Sequence, residues 1–181
     1  MTHDNAEGVF SGWRDVPLDR RGIRDAKIVA LRLKDKKFTL AFQSKLLRSR
    51  QTLKEVLKFH KHVKVITDNR ITERNYGGLQ GKTHLEIVQK NGWKKYDEWH
   101  RSYKIRPPKG ESFEDVEIRV RAFIKDLIEI MRDEKVNVVI SAHNNSMRVF
   151  RKYFEDLSVK DTCDLYNDYE DVYEYSVEVD V

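Results

Sequence analysis

Apolar positions along this chain switch repeatedly between helical and extended spacing. From Leu18 the spacing is helical: Asp19 can cap, and Ile23, Ala26, Ala30 and Leu33 recur three to four residues apart until Lys34-Asp35-Lys36-Lys37 ends the stripe. Phe38-Thr39-Leu40-Ala41-Phe42 then reads as a buried strand. A second helix is expected over about 46–59, with Leu47, Leu53, Val56 and Leu57 on its apolar side, and Val63 to Ile66 as a short strand after it. Residues 70–110 lose any regular period, which predicts a long excursion holding short helices near 83–90 and 94–99, of the kind that carries function or disorder. After the Pro107-Pro108-Lys109-Gly110 break, Ser112 or Glu111 can start a third helix running to about Arg132, with Val116, Val120, Phe123, Ile124, Leu127 and Ile130 along one face. Val136 to Ser141 is apolar without alternation, as a strand covered on both faces should be. A fourth helix over about 145–156 and an alternating edge strand from Val172 to Val179 complete the pattern.

Strands alternating with helices predict an α/β protein, a three-layer α/β/α sandwich with a mostly parallel central sheet, formed as one domain over residues 1–181. The pattern opens on a helix, whereas a parallel sheet is built from strand, crossover helix and strand. Met1 to Gly8 is too polar to supply that strand, so the expectation is a domain whose first strand is missing at the N-terminus.

Composition narrows the picture. Of 181 residues 36% are charged and 39% hydrophobic, which fits a soluble chain with a heavily charged exterior. No apolar run reaches the length of a membrane span, and Met1 to Phe10 has neither the basic start nor the apolar stretch of a secretory signal. The single Cys163 excludes an internal disulfide and a cysteine-based metal site, pointing to the reducing cytoplasm. Residues 155–181 carry ten acidic side chains and one cation, Lys160, which leaves 34 basic and 20 acidic groups in the preceding body. Such a body attracts anions. Aromatics do not interleave with the basic residues and no nucleic-acid motif is present, so small phosphorylated metabolites are the expected partners rather than nucleic acid.

The tract Ile71-Thr72-Glu73-Arg74-Asn75-Tyr76-Gly77-Gly78-Leu79-Gln80-Gly81-Lys82 concentrates chemistry. Its glycines can let backbone amides approach an anion, and a lone Glu among cations can carry protons. A solvated surface turn would have the same composition. Ligands of open α/β sheets bind at strand C-terminal ends. There Ser44 to Thr52 places Arg48 one turn into a helix, and Ala142-His143-Asn144-Asn145 sets His143 at a strand tip with a helix N-terminus behind it. Phosphoryl transfer needs cationic donors and a proton carrier, and Arg48, His143 and Glu73 fit that list. Taken singly, Arg48 also suits a surface helix and His143 a satisfied core position. No pair of His or carboxylates has metal-ligand spacing, so no metal is expected.

Phe10 to Leu18, Glu73 to Lys82, Trp99 to Tyr103 with Pro107-Pro108, Gly110 to Ser112, and Ala142 to Arg148, taken in order, resemble the phosphoglycerate mutase branch of the histidine phosphatase superfamily. The resemblance runs from about Asn5 to Ser158. It implies a cofactor-dependent enzyme of glycolysis and gluconeogenesis, in which 2,3-bisphosphoglycerate primes a phosphohistidine and 3-phosphoglycerate becomes 2-phosphoglycerate. By the same resemblance Glu73 gives and takes the proton, Arg48 and His143 hold the transferring group, and Asn5 reaches it. Ser11, Gly12, Arg74, Asn75, Tyr76 and Arg101 contact the remainder of the substrate, and Asn144 and Asn145 line the pocket.

The sequence departs from the family pattern at several positions. His100 and His84 stand where Arg and Lys are usual in the substrate-binding set, and Asn144 replaces a Gly, a change that Asn tolerates at least cost if the backbone there has positive φ. The Arg-His-Gly whose His accepts the phosphoryl group would fall just before Met1, and His3 is set too close to Ser11-Gly12 to replace it. The resemblance therefore implies a truncated chain, inactive as it stands, with a cavity opened in the middle of its sheet. A histidine-type phosphatase and a non-catalytic phosphate-binding module are the alternative functions. A homodimer paired through the Val63–Ile66 edge and an acidic tail acting as a lid complete the expectations.

Overall fold

The computed structural model describes residues 1–178. Three parallel strands, β1 (Leu40–Gln43), β2 (Lys64–Thr67) and β3 (Val138–Ser141), form a sheet of order β2-β1-β3. β1 is central, with Leu40 opposite both Lys64 and Val138 and Gln43 opposite both Thr67 and Ser141. Helices cover both faces. On one side Leu40, Phe42 and the half-buried Val138 and Ile140 pack on α6 (Phe113–Glu134) and α7 (Asn144–Phe154), through Val116, Val120, Phe123, Leu127, Val149 and Phe150. On the other, Val139 meets Val29, Ala30 and Leu33 of α2 (Arg20–Leu33) and Val56 of α3 (Leu47–Val56). Successive strand residues thus serve opposite layers, as the period of two requires.

Local signals set the helix starts. Asp19 caps α2 through a 2.6 Å bond from the Gly22 amide. Ser112 and Asp115 form a capping box that starts α6 where the sequence predicts it. The excursion holds 3₁₀ turns at Asn69–Ile71 and Gly77–Leu79, then α4 (His84–Asn91) and α5 (Trp93–Arg101). Two short helices, α1 (His3–Ala6) and α8 (Val159–Asp164), have no counterpart in the hydrophobic pattern, being too short to show a period. Among the described residues no helix is long and apolar enough to cross a membrane.

Two strand expectations need correction. β3 is half-buried along its whole length rather than covered on both faces, because β1 is its only partner among the described residues. Its open edge borders a cavity of about 750 Å³ walled by α2, α7 and residues 166–177. Val172 to Val177 forms no strand, and Val179 lies outside the described residues. Alternation alone builds no ladder: this segment is tied instead by side chains, with Tyr175 Oη donating to Glu155 at 2.6 Å, the Tyr175 ring stacked on Phe154, and Arg151 donating to Tyr173 Oη.

Candidate active site

The C-terminal ends of β1 and β3 are laced together by serines. Ser44 donates its amide to Ser49 Oγ at 3.0 Å, Ser49 Oγ donates to the Ser141 carbonyl at 2.7 Å, and Ser141 Oγ donates back to the Ser49 carbonyl at 2.9 Å. This lacing fixes the first turn of α3, which carries Arg48, against the tip of β3, which carries His143. Ser44 Oγ lies 2.7 Å from His143 Nε2. His143 caps α7, with its amide donating to Ser146 Oγ at 3.0 Å. Burial, reinforced by Arg48 and Arg119, holds its imidazole well below the usual histidine range, so the ring is neutral at pH 7.

Arg48 donates to the carbonyls of Gly12 at 2.8 Å and Arg14 at 2.9 Å, which aligns its guanidinium along the 11–15 segment. Burial lowers its pKa, while Glu73, Asp15 and Asp4 pull it back up. Glu73 Oε1 accepts from its neighbour Arg74 N at 2.7 Å and from Asn145 N, at the α7 N-terminus, at 3.1 Å. Its Oε2 has no hydrogen-bond partner among the described residues and is not sealed from the cavity. Asn145 also donates through Nδ2 to Tyr76 Oη at 3.2 Å, and burial raises the phenol's pKa. The cavity wall therefore offers a cation, a carboxylate with a free oxygen, a neutral imidazole and the N-terminus of an eleven-residue helix.

Arg48, Glu73 and His143 line this cavity together. Asn5, Ser11, Gly12 and Tyr76 line it too, as do His84, His100, Asn144 and Asn145. Ser11 Oγ is buried there without a protein partner. Asn5 Oδ1 is engaged locally, accepting from Thr2 N and Oγ1.

Arg74, Asn75 and Arg101 are not on the cavity wall. Arg74 is fully buried between the rings of Tyr76 and Phe113, and donates to the carbonyls of Glu111 at 2.7 Å, Trp99 at 2.9 Å and His100 at 3.1 Å. It fixes backbone. Asn75 is likewise spent on its surroundings, with its amide donating to Glu111 Oε2 and its Oδ1 accepting from Gly77 N. Arg101 is exposed at the end of α5.

The tract's glycines do not form an anion cradle, contrary to the sequence expectation. The amides of Gly77, Gly78 and Gly81 donate to Asn75 Oδ1, the Pro108 carbonyl and the Phe10 carbonyl. Gly77 has φ +53°, and a Cβ there would collide with the Pro108 carbonyl, so glycine serves the turn and the close approach of the 107–111 segment. Asn144 needs no left-handed backbone either; it is the first residue of α7 and shows no positive φ.

Other residues escaped the sequence reading. Arg119 on α6 donates to the carbonyls of Arg70, Thr72 and Glu73 and pairs with Glu111, pinning the Glu73 tract from behind. Its place among charged helix residues gives no sign of this. Tyr96 bridges His84 and His100, and its spacing of four from His100 on one helix was the available signal.

This architecture defines a three-layer α/β protein with a cavity at the C-terminal ends of its strands, where open α/β sheets commonly bind ligands. The sequence profile of the histidine phosphatase superfamily (branch 1) matches residues 1–179, and the chain belongs to that superfamily. A 2,3-bisphosphoglycerate-dependent phosphoglycerate mutase of Cytophaga hutchinsonii is 34% identical over 180 residues, covering 98% of this chain and 84% of the relative. A phosphoglycerate mutase of Schizosaccharomyces pombe is 37% identical over 160 residues, covering 85% and 75%. Among solved structures, a mycobacterial glucosyl-3-phosphoglycerate phosphatase superposes with a TM-score of 0.80 at 24% identity, covering 92% of this chain and 80% of the other, a likeness of fold alone. The Bacillus stearothermophilus protein YhfR gives a TM-score of 0.79 at 26% identity, covering 89% and 78%.

Proposed function

We propose that the chain carries the binding groups of a cytoplasmic phosphoglycerate mutase, an enzyme that interconverts 3-phosphoglycerate and 2-phosphoglycerate through a phosphohistidine, and that it is inactive as it stands because no imidazole among the described residues is placed to accept the phosphoryl group. The observation that carries this is the meeting of Arg48, Glu73 and His143 on one cavity, in a chain about a third identical to mutases over most of its length. In this reading Arg48 and the neutral His143 hold the phosphoryl oxygens, and Glu73 moves a proton to and from the substrate hydroxyl through its free Oε2. Ser11, Gly12, Tyr76, Asn144 and Asn145 shape the pocket, with Asn5 at its rim. Arg74 and Asn75 act by holding the Glu73 tract. 2,3-Bisphosphoglycerate would bind here as the priming anion, whose phosphoryl group needs an accepting imidazole besides these residues. The donor set fits such an anion, because the buried Ser11 Oγ has no protein partner and Glu73 Oε2 is available for a hydroxyl. The phosphoryl-accepting imidazole is not assigned to His143, whose Nε2 faces Ser44, nor to His3, which is exposed beside Glu7. Two copies are proposed to pair through the outer edge of β2, whose residues are largely exposed.

A second reading, a phosphatase acting on phosphoesters, is favoured by one observation. Where the family resemblance expects fixed cations, His84 and His100 carry pKa values lowered by burial and by Arg101, to about 3 for His100, and are neutral at pH 7. A weaker hold on a second anion favours hydrolysis over return of the phosphoryl group. The deciding assay follows 2-phosphoglycerate formation and phosphate release from 3-phosphoglycerate, with catalytic 2,3-bisphosphoglycerate, on one preparation. Binding of phosphate and 3-phosphoglycerate without turnover is the result expected of the first reading. Dominant hydrolysis of unrelated phosphoesters supports the second, and mutase flux above phosphate release would show that a histidine of this chain does accept the phosphoryl group.

A further inference from the structure

Tyr96 Oη lies 3.0 Å from His84 Nδ1 and 2.9 Å from His100 Nδ1. A hydroxyl has one proton, so it donates to one ring and accepts from the other. With both rings neutral, one imidazole must carry its proton on Nδ1 and the other on Nε2. Both Nε2 atoms lack hydrogen-bond partners among the described residues, neither is sealed in, and both rings line the cavity. The wall therefore presents one acceptor and one donor, set in opposite senses by the shared hydroxyl.

The surroundings keep this wall uncharged. Phe10 packs its ring on both imidazoles, at 4.1 Å from His84 and 5.4 Å from His100. Arg101 acts on both rings, and Arg74 and Arg148 act on His100, so the charged groups facing the pair are cations that oppose a further positive charge. The wall stands one aromatic ring from the phosphoryl end, since Tyr76 lies between His100 and the Asn145–Glu73 contact.

A hydroxyl both donates and accepts, matching such a wall, whereas a carboxylate or phosphate only accepts and leaves one imidazole lone pair facing an anion. We propose that His84, Tyr96 and His100 form a neutral specificity wall that selects a hydroxyl over a second anion at the ligand's far end. The preferred class is the phosphomonoester of a hydroxylated, otherwise uncharged compound. His84 and His100 touch the ligand, and Tyr96 is a positioning residue. The proposal rests on the phosphoryl-binding reading of Arg48, Glu73 and His143 and deepens the phosphatase alternative.

Calorimetric titration of the full chain with inorganic phosphate, glycerol 1-phosphate and 3-phosphoglycerate tests it. The wild type is expected to bind glycerol 1-phosphate at least as tightly as 3-phosphoglycerate. The double variant H84K/H100R should move that ratio tenfold or more toward 3-phosphoglycerate. Y96F, a smaller change, should weaken the wild-type preference while leaving phosphate affinity in place. Between pH 8 and pH 6.5 the wild-type ratio should stay flat, because the lowered pKa values keep both rings neutral over that range. A tenfold wild-type preference for 3-phosphoglycerate, or a ratio indifferent to both variants, overturns the wall alone. Failure of inorganic phosphate to bind overturns the phosphoryl-site reading and the wall with it.

Discussion

The two sides of the Glu73 tract use the same residue types in opposite ways. Behind it, Arg74 and Arg119 give their donors to backbone carbonyls and to Glu111, so these guanidiniums are structural fasteners. In front, Arg48 and Glu73 spend only some of their hydrogen-bonding capacity on the protein and face a cavity. The tract has only short 3₁₀ turns of its own and three glycines in twelve residues. Its rigidity must come from outside. The difference teaches that cations behind an irregular segment can pre-position the groups in front of it, so that a ligand meets a wall already set.

The largest effect should fall behind the tract. Arg74→Met leaves three part-buried carbonyls without this donor and is expected to cost about 3–5 kcal/mol, a fall in Tm of roughly 10 °C, measured by denaturant and thermal unfolding. A loss under about 1 kcal/mol would break the distinction between the two sides. In front, Arg48→Gln should leave stability within about 1 kcal/mol and weaken inorganic phosphate binding by about 1.5–3 kcal/mol, roughly ten- to a hundredfold. Unfolding without a specific loss of binding would place Arg48 with the fasteners.

A smaller, graded effect concerns pH. The folded pKa values of His143 and His100 lie below those of the unfolded chain, so the unfolded state takes up protons first as pH falls through about 6.5. Stability present at pH 7 is therefore lost on acidification, with each ring contributing up to about 1.4 kcal/mol per pH unit below that point. The carboxylates with depressed values, Asp115 at about 2 among them, act at lower pH. His143→Asn should flatten the slope between pH 6.5 and 5, and an unchanged slope would show that the ring is not held neutral.

Much of this molecule is legible in the chain. The starts of α2 and α6 follow from Asp19 and Ser112, and the core strand β1 from Leu40-Ala41-Phe42, because capping chemistry and burial are local properties. The cavity-lining positions of Arg48, Glu73 and His143 follow from strand-end topology together with the family resemblance. What stays hidden depends on long-range partners. Arg74 and Arg48 are indistinguishable as sequence, and only the carbonyls of Trp99, His100 and Glu111 reveal Arg74 as a fastener. Gly77 suggests an anion cradle until Pro108 is seen against it. Val172 to Val177 alternates like a strand, yet takes tethers to α7 in place of a ladder. Burial of β3 depends on what lies along both its edges, which its own four residues do not encode.

A crystal structure of the full chain with inorganic phosphate tests the phosphoryl site most directly. The expected result is a phosphate bound by the Arg48 guanidinium, with the free oxygen of Glu73 and the His143 ring facing it across the cavity. Phosphate bound elsewhere, or these three side chains directed to separate parts of the molecule, would contradict the account.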